Sequence, residues 1–449
     1  MVLSQLAFAV YGPSIRLEIS IALRTHRQGL EEQSSNCGFR KQLSGLGLGL
    51  SDDMVRDISG RNRLRTFVHS FGPAWVVMIA DVDAASILTA AVDGAVYGYS
   101  LVWFLLLLAV PLFLIQEAAG RIGVATGKGL GEIIRENYSR KIALLTSVPM
   151  ACTDVLSYVA EFTGIAIGFQ LLGVAPIISL PVVYMVYLAI VWKRGYTTVE
   201  RFLVVFSVVL ISSYAGSLFL RGLPPVREYM YFFWSWRPDF LYLMAATAGA
   251  VVMPFMLFYQ TSATAEKKVK SLWSSRLETL IGAVASEVGM VVILLATIGL
   301  NGTLLGTNSP EKLSRALSFL AGPYAPYVFA LGLIAASFLA LVVISLGSAW
   351  GVAETIGWGR QKFFWIYLIE SLPALFVPML FPDLFHLAID MMVLFVFVLL
   401  GPGVMVGLIA RKKRLMGNLS SGLSWSVAYW VSLAFVVGSG FIALAAIFI

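Results

Sequence analysis

Apolar residues recur along this chain in blocks of roughly 18 to 25, long enough to cross ~30 Å of hydrocarbon. Leu101 to Gln116, Ile177 to Trp192, Phe202 to Leu220 and Trp425 to Ile449 are four of them. Hydrophobic residues make up 59% of the 449 and charged residues 13%, which no water-soluble core can absorb. The chain is therefore read as an all-α integral membrane protein. Cutting at charged and Gly/Pro-rich joints gives about eleven spans, near 71–98, 99–120, 142–172, 176–193, 199–220, 240–266, 275–300, 325–356, 363–381, 384–410 and 424–449.

The net charge of +7 is carried by short basic clusters between the spans. Such clusters are topology signals and not a nucleic-acid footprint. Arg61, Arg63 and Arg65 precede the first span; Arg121 to Lys141 follow the second, Lys193 to Arg201 the fourth, Lys267 to Arg276 the sixth, Arg360 and Lys362 the eighth, and Arg411 to Arg414 the tenth. Alternate joints, such as Gly173 to Pro176 and Pro382 to His386, lack Lys and Arg. The expected topology is a multi-pass plasma-membrane protein with a cytoplasmic N-terminus and an external C-terminus. Residues 1–53 carry one short apolar stretch without a cleavage pattern and are expected to be a surface or disordered extension, or the product of an upstream start with Met54 as the natural first residue. Trp234, Trp236, Tyr229 and Tyr231 in the joint after the fifth span read as an interfacial aromatic belt.

Only Cys37 and Cys152 are present, and His26, His69 and His386 have no ligand spacing, so thiolate and zinc-enzyme chemistry drop out. No nucleophile recurs beside a base or a metal-ligand cluster, so the chain is not read as an enzyme and no cofactor is expected. The functional candidates are polar groups at membrane depth, where an ionisable side chain needs a cavity or a partner. The first span is the densest, with Asp81, Asp83, Ser86 and Asp93. Asp81 and Asp83 lie about 200° apart on a continuous helix, so they face one cavity together only if the helix unwinds. Alternatively, one of them caps a turn or meets a neighbouring helix. The sixth span carries Gly249, Ala250, Met253 and Pro254, where proline frees the carbonyls near Ala250. Two broken helices five spans apart point to an inverted repeat with the site between its halves, although a proline by itself gives only a kink. The third span holds Asp154, Tyr158 and Glu161, the last of these most deeply placed. The eighth holds Glu354, expected near the interface, the ninth Glu370 and the tenth Asp390. Glu287 in the seventh span is expected to pair with a neighbour.

Several of these segments, taken in order, resemble the NRAMP divalent-metal transporters. They are Gly72-Pro73 with Asp83, Tyr97-Gly98-Tyr99-Ser100, Gly123 to Glu132, Ala160-Glu161-Phe162 with Gly164, Gly249 to Pro254, and Leu415-Met416-Gly417. The resemblance covers most of 71 to 449. It implies a LeuT-type fold of two inverted five-helix repeats plus an eleventh helix. The implied division is 1–70 as a cytoplasmic extension, 71–220 as the first repeat, 221–239 as an external loop, 240–414 as the second repeat, and 415–449 as a joint and final helix. It also implies alternating-access import of a divalent metal ion, the ion being substrate, with the lipid bilayer and protons as the other partners.

The family's Asp-Pro-Gly-Asn and Ala-x-x-Met-Pro-His motifs place the implied metal ligands at Asp83, Ser86, Ala250 and Met253, with the Ala80 carbonyl as a further candidate. Asp81, Tyr158, Glu161, Phe255 and Asp390 are secondary or gating candidates. Carboxylate, hydroxyl and carbonyl oxygens suit hard ions, whereas a thioether favours Mn²⁺ or Fe²⁺ over Mg²⁺. The motifs are altered here. Ala84-Ala85 replaces Pro-Gly and no longer forces a helix break, Ser86 replaces asparagine, Phe255 replaces histidine, Tyr158 replaces a third-helix aspartate, and the ninth span has no arginine pair. Proton coupling is accordingly expected to be weak or absent. Asp81 is an addition that favours a harder ion. The competing expectations are a metal-binding sensor or scaffold of the same shape, and a transporter of another cationic substrate.

Overall fold

In the computed structural model the described residues are 71–192, 196–223, 234–300, 315, 317–318, 322–359, 362–381 and 385–447. The N-terminal extension, Tyr229, Tyr231 and most of the joint from Asn301 to Tyr324 lie outside them. Every element within the described residues is a helix or a turn, with no strand.

The first span is two helices, α1 (Pro73–Ala80) and α2 (Ala84–Tyr97), separated by Asp81 to Asp83. A 3-10 turn over Gly98–Leu101 leads into α3 (Val102–Thr126), followed by the short α4 (Leu130–Asn137), α5 (Arg140–Leu171), α6 (Pro176–Val191) and α7 (Tyr196–Arg221). The sixth span is again broken, into α8 (Pro238–Val251) and α9 (Pro254–Glu266). Then come α10 (Leu272–Thr297), α11 (Ala325–Ile356), α12 (Phe363–Leu380), α13 (Phe385–Val398), α14 (Leu400–Arg411), the short α15 (Lys413–Met416) and α16 (Leu423–Ile447).

Among the described residues, nine helical stretches are long and apolar enough to cross a membrane. The sequence count of eleven differs for two reasons. Ala84–Thr126 runs through the turn at Gly98 as one stretch, and Pro176–Val191 falls short of a full span at 16 residues.

The second break is a proline effect. Pro254 occupies the first helical position of α9, and a residue before proline is pushed to extended backbone; Met253 has φ −91° and ψ 147°. The first break, which the spacing of Asp81 and Asp83 suggested, has no proline to enforce it. Asp83 supplies it instead. With φ −88° and ψ −178° it caps α2, accepting from the Ser86 N–H at 2.7 Å, an arrangement typically worth about 1 kcal/mol.

The two broken spans and α11 form the centre. In the most apolar 18 residues of Pro238–Glu266, 94% are buried, and 83% in those of Ala325–Ile356, against 39% in those of Leu423–Ala445, a helix that presents Leu423, Val431 and Phe441 outward. The second span packs on the seventh (α3 on α10) and the third on the eighth (α5 on α11), a pairing that repeats after five spans.

Candidate functional site

The two breaks meet. Pro254 has no N–H to offer the carbonyl four residues earlier, and that Ala250 oxygen accepts instead from the Ser86 Oγ at 3.2 Å. Asp83, Ser86, Ala80, Ala250 and Met253 are all at most 1% exposed, so the structure is closed to both sides at this level. Asp83 spends Oδ1 on the cap, while its Oδ2 has no hydrogen-bond donor among the described residues.

Glu161 reaches the same point from α5. Its Oε2 accepts from the Ala84 N–H at 3.2 Å, its Oε1 has no hydrogen-bond donor among the described residues, and its carboxylate lies against that of Asp83. Two carboxylates thus share the N-terminus of α2, where unpaired N–H groups and the helix dipole favour negative charge. Side by side they repel one another unless a cation or a proton sits between them. Among the described residues no three His, Cys, Asp or Glu side chains converge as a metal cluster. An ion here would need hydroxyl, carbonyl or thioether ligands to complete its shell.

The remaining candidates separate. Phe255 packs beneath Gly347 of α11. Tyr158 donates to Ser345 at 3.0 Å and Glu370 at 3.4 Å, in a buried network where Ser348 donates to Glu370 at 2.8 Å. Asp154, fully buried, lies near Glu370 and Ser348 in the same network. Asp390 is exposed and accepts from Tyr242, while Asp93 is held by Thr247 of α8 at 2.9 Å. Glu354 ties three helices, accepting from Ser262 at 2.8 Å and from the Gly131 N–H at 3.1 Å. Glu287 corrects the expectation of a paired residue. It is fully buried beside Asp81, and neither of its oxygens has a hydrogen-bond partner.

One feature absent from the sequence reading is a clasp on the start of the first span. Gly72 has φ 147°, backbone open to glycine alone, and its N–H and that of Trp75 donate to Glu278 at 2.6 and 2.9 Å. Lys267, just after α9, donates to the Phe71 carbonyl at 2.5 Å and to both oxygens of Glu200 at 2.9 Å. In the first turns of α10, Arg276 binds Glu117 at 2.6 Å and lies 4.7 Å from the Trp425 ring centroid. The sequence signal was the basic joint itself, but its acidic partners come from helices far apart in the chain.

Residues 74–446 match the family model described as Nramp, natural resistance-associated macrophage protein-like. A divalent metal cation transporter MntH of Deinococcus radiodurans is 25% identical over 409 residues, covering 85% of this chain and 91% of its own. Another MntH, from Verminephrobacter eiseniae, is 29% identical over 301 residues, covering 64% of this chain and 69% of its own. A crystal structure of the Eremococcus coleocola manganese transporter superposes with a TM-score of 0.73 at 17% identity, covering 89% of this chain and 91% of that one. The fold is the LeuT-type arrangement, with the broken first and sixth spans at its centre.

Proposed function

This chain belongs to the Nramp family, whose members are metal-ion transporters and not enzymes, and from that premise we propose that it carries a divalent cation across the plasma membrane by alternating access. The observation that carries the reading is the junction of the two breaks, where Ser86 bonds the Ala250 carbonyl and Asp83 keeps one carboxylate oxygen free. Asp83, Ser86, Met253 and the carbonyls of Ala80 and Ala250 are the ligands. Asp83 supplies the charge, the carbonyls and hydroxyl replace water of hydration, and the thioether favours a Mn²⁺-like ion over Mg²⁺. Substituting Met253 by alanine is expected to let Mg²⁺ compete with Mn²⁺ uptake in proteoliposomes roughly tenfold better. Equal competition in mutant and parent would make the thioether a packing residue only.

The first and second repeats, 71–220 and 240–414, are taken to move against each other around this site, with the N-terminus cytoplasmic and the C-terminus external. In that topology the Lys267 clasp lies on the cytoplasmic side, where it holds the start of α1 to α7 and keeps the inner route shut. Replacing Lys267 by methionine keeps the length of the side chain but removes its charge. A cysteine placed at Ala80 for accessibility is then expected to react with a cytoplasmic-side thiol reagent at least about tenfold faster, because a partly buried ion pair and a hydrogen bond are both lost. An unchanged rate would remove the clasp from the gating account.

Coupling to protons is weak or absent. Phe255 carries no titratable group, Tyr158 is engaged with Ser345 and Glu370, and α12 contains a glutamate and no arginine. Glu161 lies against Asp83 and is placed to take up a proton there in the empty state. A panel of metals in proteoliposomes at two external pH values tests substrate and coupling together; uptake tied one-for-one to acid influx would refute weak coupling. The persistence of the first break without Pro-Gly supports transport over a non-transporting sensor.

A further inference from the structure

The break in the first span bares two carboxylates, and the transport site uses one. Asp81 follows α1 directly and is 1% exposed. Its Oδ2 accepts from the Ser286 Oγ at 3.0 Å, and its Oδ1 has no partner. Glu287, the next residue on α10, is fully buried with both oxygens unpartnered. The packing brings Ser286 to Asp81, and Glu287 follows it on the same helix. Gly282, Ser286 and Gly289 form one stripe of α10, and a Cβ on Gly282 would press on Met78 while one on Gly289 would touch Val82. Asp83 looks elsewhere, to Glu161 of α5 and, through Ser86, to α8.

Among the described residues no Lys or Arg forms an ion pair with Asp81 or Glu287. An unpaired carboxylate in such a place costs several kcal/mol to bury. A lone buried acid can be accommodated by one donor, as Thr247 serves Asp93, yet here three carboxylate oxygens go without any. The unwound turn at Asp81 and Val82 adds backbone carbonyls outside a helix.

We propose that Asp81, Glu287 and Ser286 form a second cation site, separate from the Asp83 site, that takes a hard divalent ion of the Mg²⁺ class. The two formal negative charges match one divalent ion. All the ligands are oxygen, and three side chains leave positions for water and carbonyls, as a small ion that keeps part of its hydration prefers. Met253, the thioether of the proposed transport site, belongs to the other break. An ion held by Asp81 would set the field at Asp83, so occupancy of this site would tune metal affinity at the transport site without itself being carried.

The test is equilibrium dialysis of the purified full chain in detergent, with Mg²⁺ as probe for this site and Cd²⁺ for the thioether-bearing one. The parent is expected to retain one Mg²⁺ in the presence of saturating Cd²⁺. Glu287→Gln and, independently, Asp81→Asn should each weaken Mg²⁺ binding at least about tenfold. Both are near-isosteric and remove a buried charge, so a monodisperse elution profile checks that they fold. Asp83→Ala should lose Cd²⁺ and keep Mg²⁺. Complete displacement of Mg²⁺ by Cd²⁺, or parental Mg²⁺ affinity in both Glu287→Gln and Asp81→Asn, would overturn the second site. Loss of Mg²⁺ in those variants upholds it even if Asp83→Ala retains Cd²⁺, a result that would count against the transport-site assignment alone.

Discussion

Asp83→Ala is expected to cut divalent-metal uptake in proteoliposomes by about 100-fold or more while leaving the protein folded and monodisperse. Changing residues that merely orient metal ligands commonly costs 10–100-fold in affinity, and Asp83 supplies the charge of the proposed site itself. The substitution also removes the cap of α2, a loss of about 1 kcal/mol that a membrane bundle of this size tolerates. Asp83→Asn separates the two effects. It keeps a capping oxygen for the Ser86 N–H and discards the charge, so it should be as inactive as the alanine variant but more stable. Uptake restored in Asp83→Asn would mean that helix geometry, and not charge, is what Asp83 contributes.

Gly249→Val is expected to be the most damaging single change to the fold. Gly249 lies one residue before Ala250, where α8 crosses α13 so closely that a Cβ would land on the Met392 carbonyl oxygen and press on Val396. Backbone cannot move aside as a flexible side chain can, so the helices must part. Overpacking of this kind costs typically 1–3 kcal/mol and more when backbone shifts. Because the parting occurs beside the second break, uptake should fall along with thermal stability. A valine variant with parental melting temperature and parental uptake would mean that α8 and α13 are not in contact in the membrane.

The spans were legible because hydrocarbon thickness imposes a length that apolar runs must meet, and the second break because proline dictates the backbone of Met253. The first break was legible in the spacing of Asp81 and Asp83, although not in the family's motif. The family's helix breakers at 84 and 85 are alanines, and the signal that replaces them is an aspartate three residues before a serine whose N–H it caps. That pattern is ordinary at helix starts in water and easily overlooked inside an apolar run. The candidate ligands of the two breaks were read directly, since Asp83 and Met253 stand out against their neighbours. Their contacts were not, because Ser86 and Ala250 are 164 residues apart. Glu287 stands out in the sequence, but only the fold leaves it buried near Asp81 without a hydrogen-bond donor among the described residues. The clasp on α1 was hidden for the same reason, since Lys267 and Glu200 meet only through the fold.

The central claim is that a divalent ion is held where the two broken spans meet. Anomalous diffraction from crystals of the full chain grown with Mn²⁺ tests it most directly. The expected result is a Mn²⁺ peak within about 2.0–2.6 Å of an Asp83 carboxylate oxygen, the range of metal–oxygen bonds, bordered by the Ala250 carbonyl and the Met253 sulfur. A well-ordered Asp83 pointing into lipid or bonded to a basic side chain, with the Mn²⁺ peak elsewhere in the protein, would contradict it.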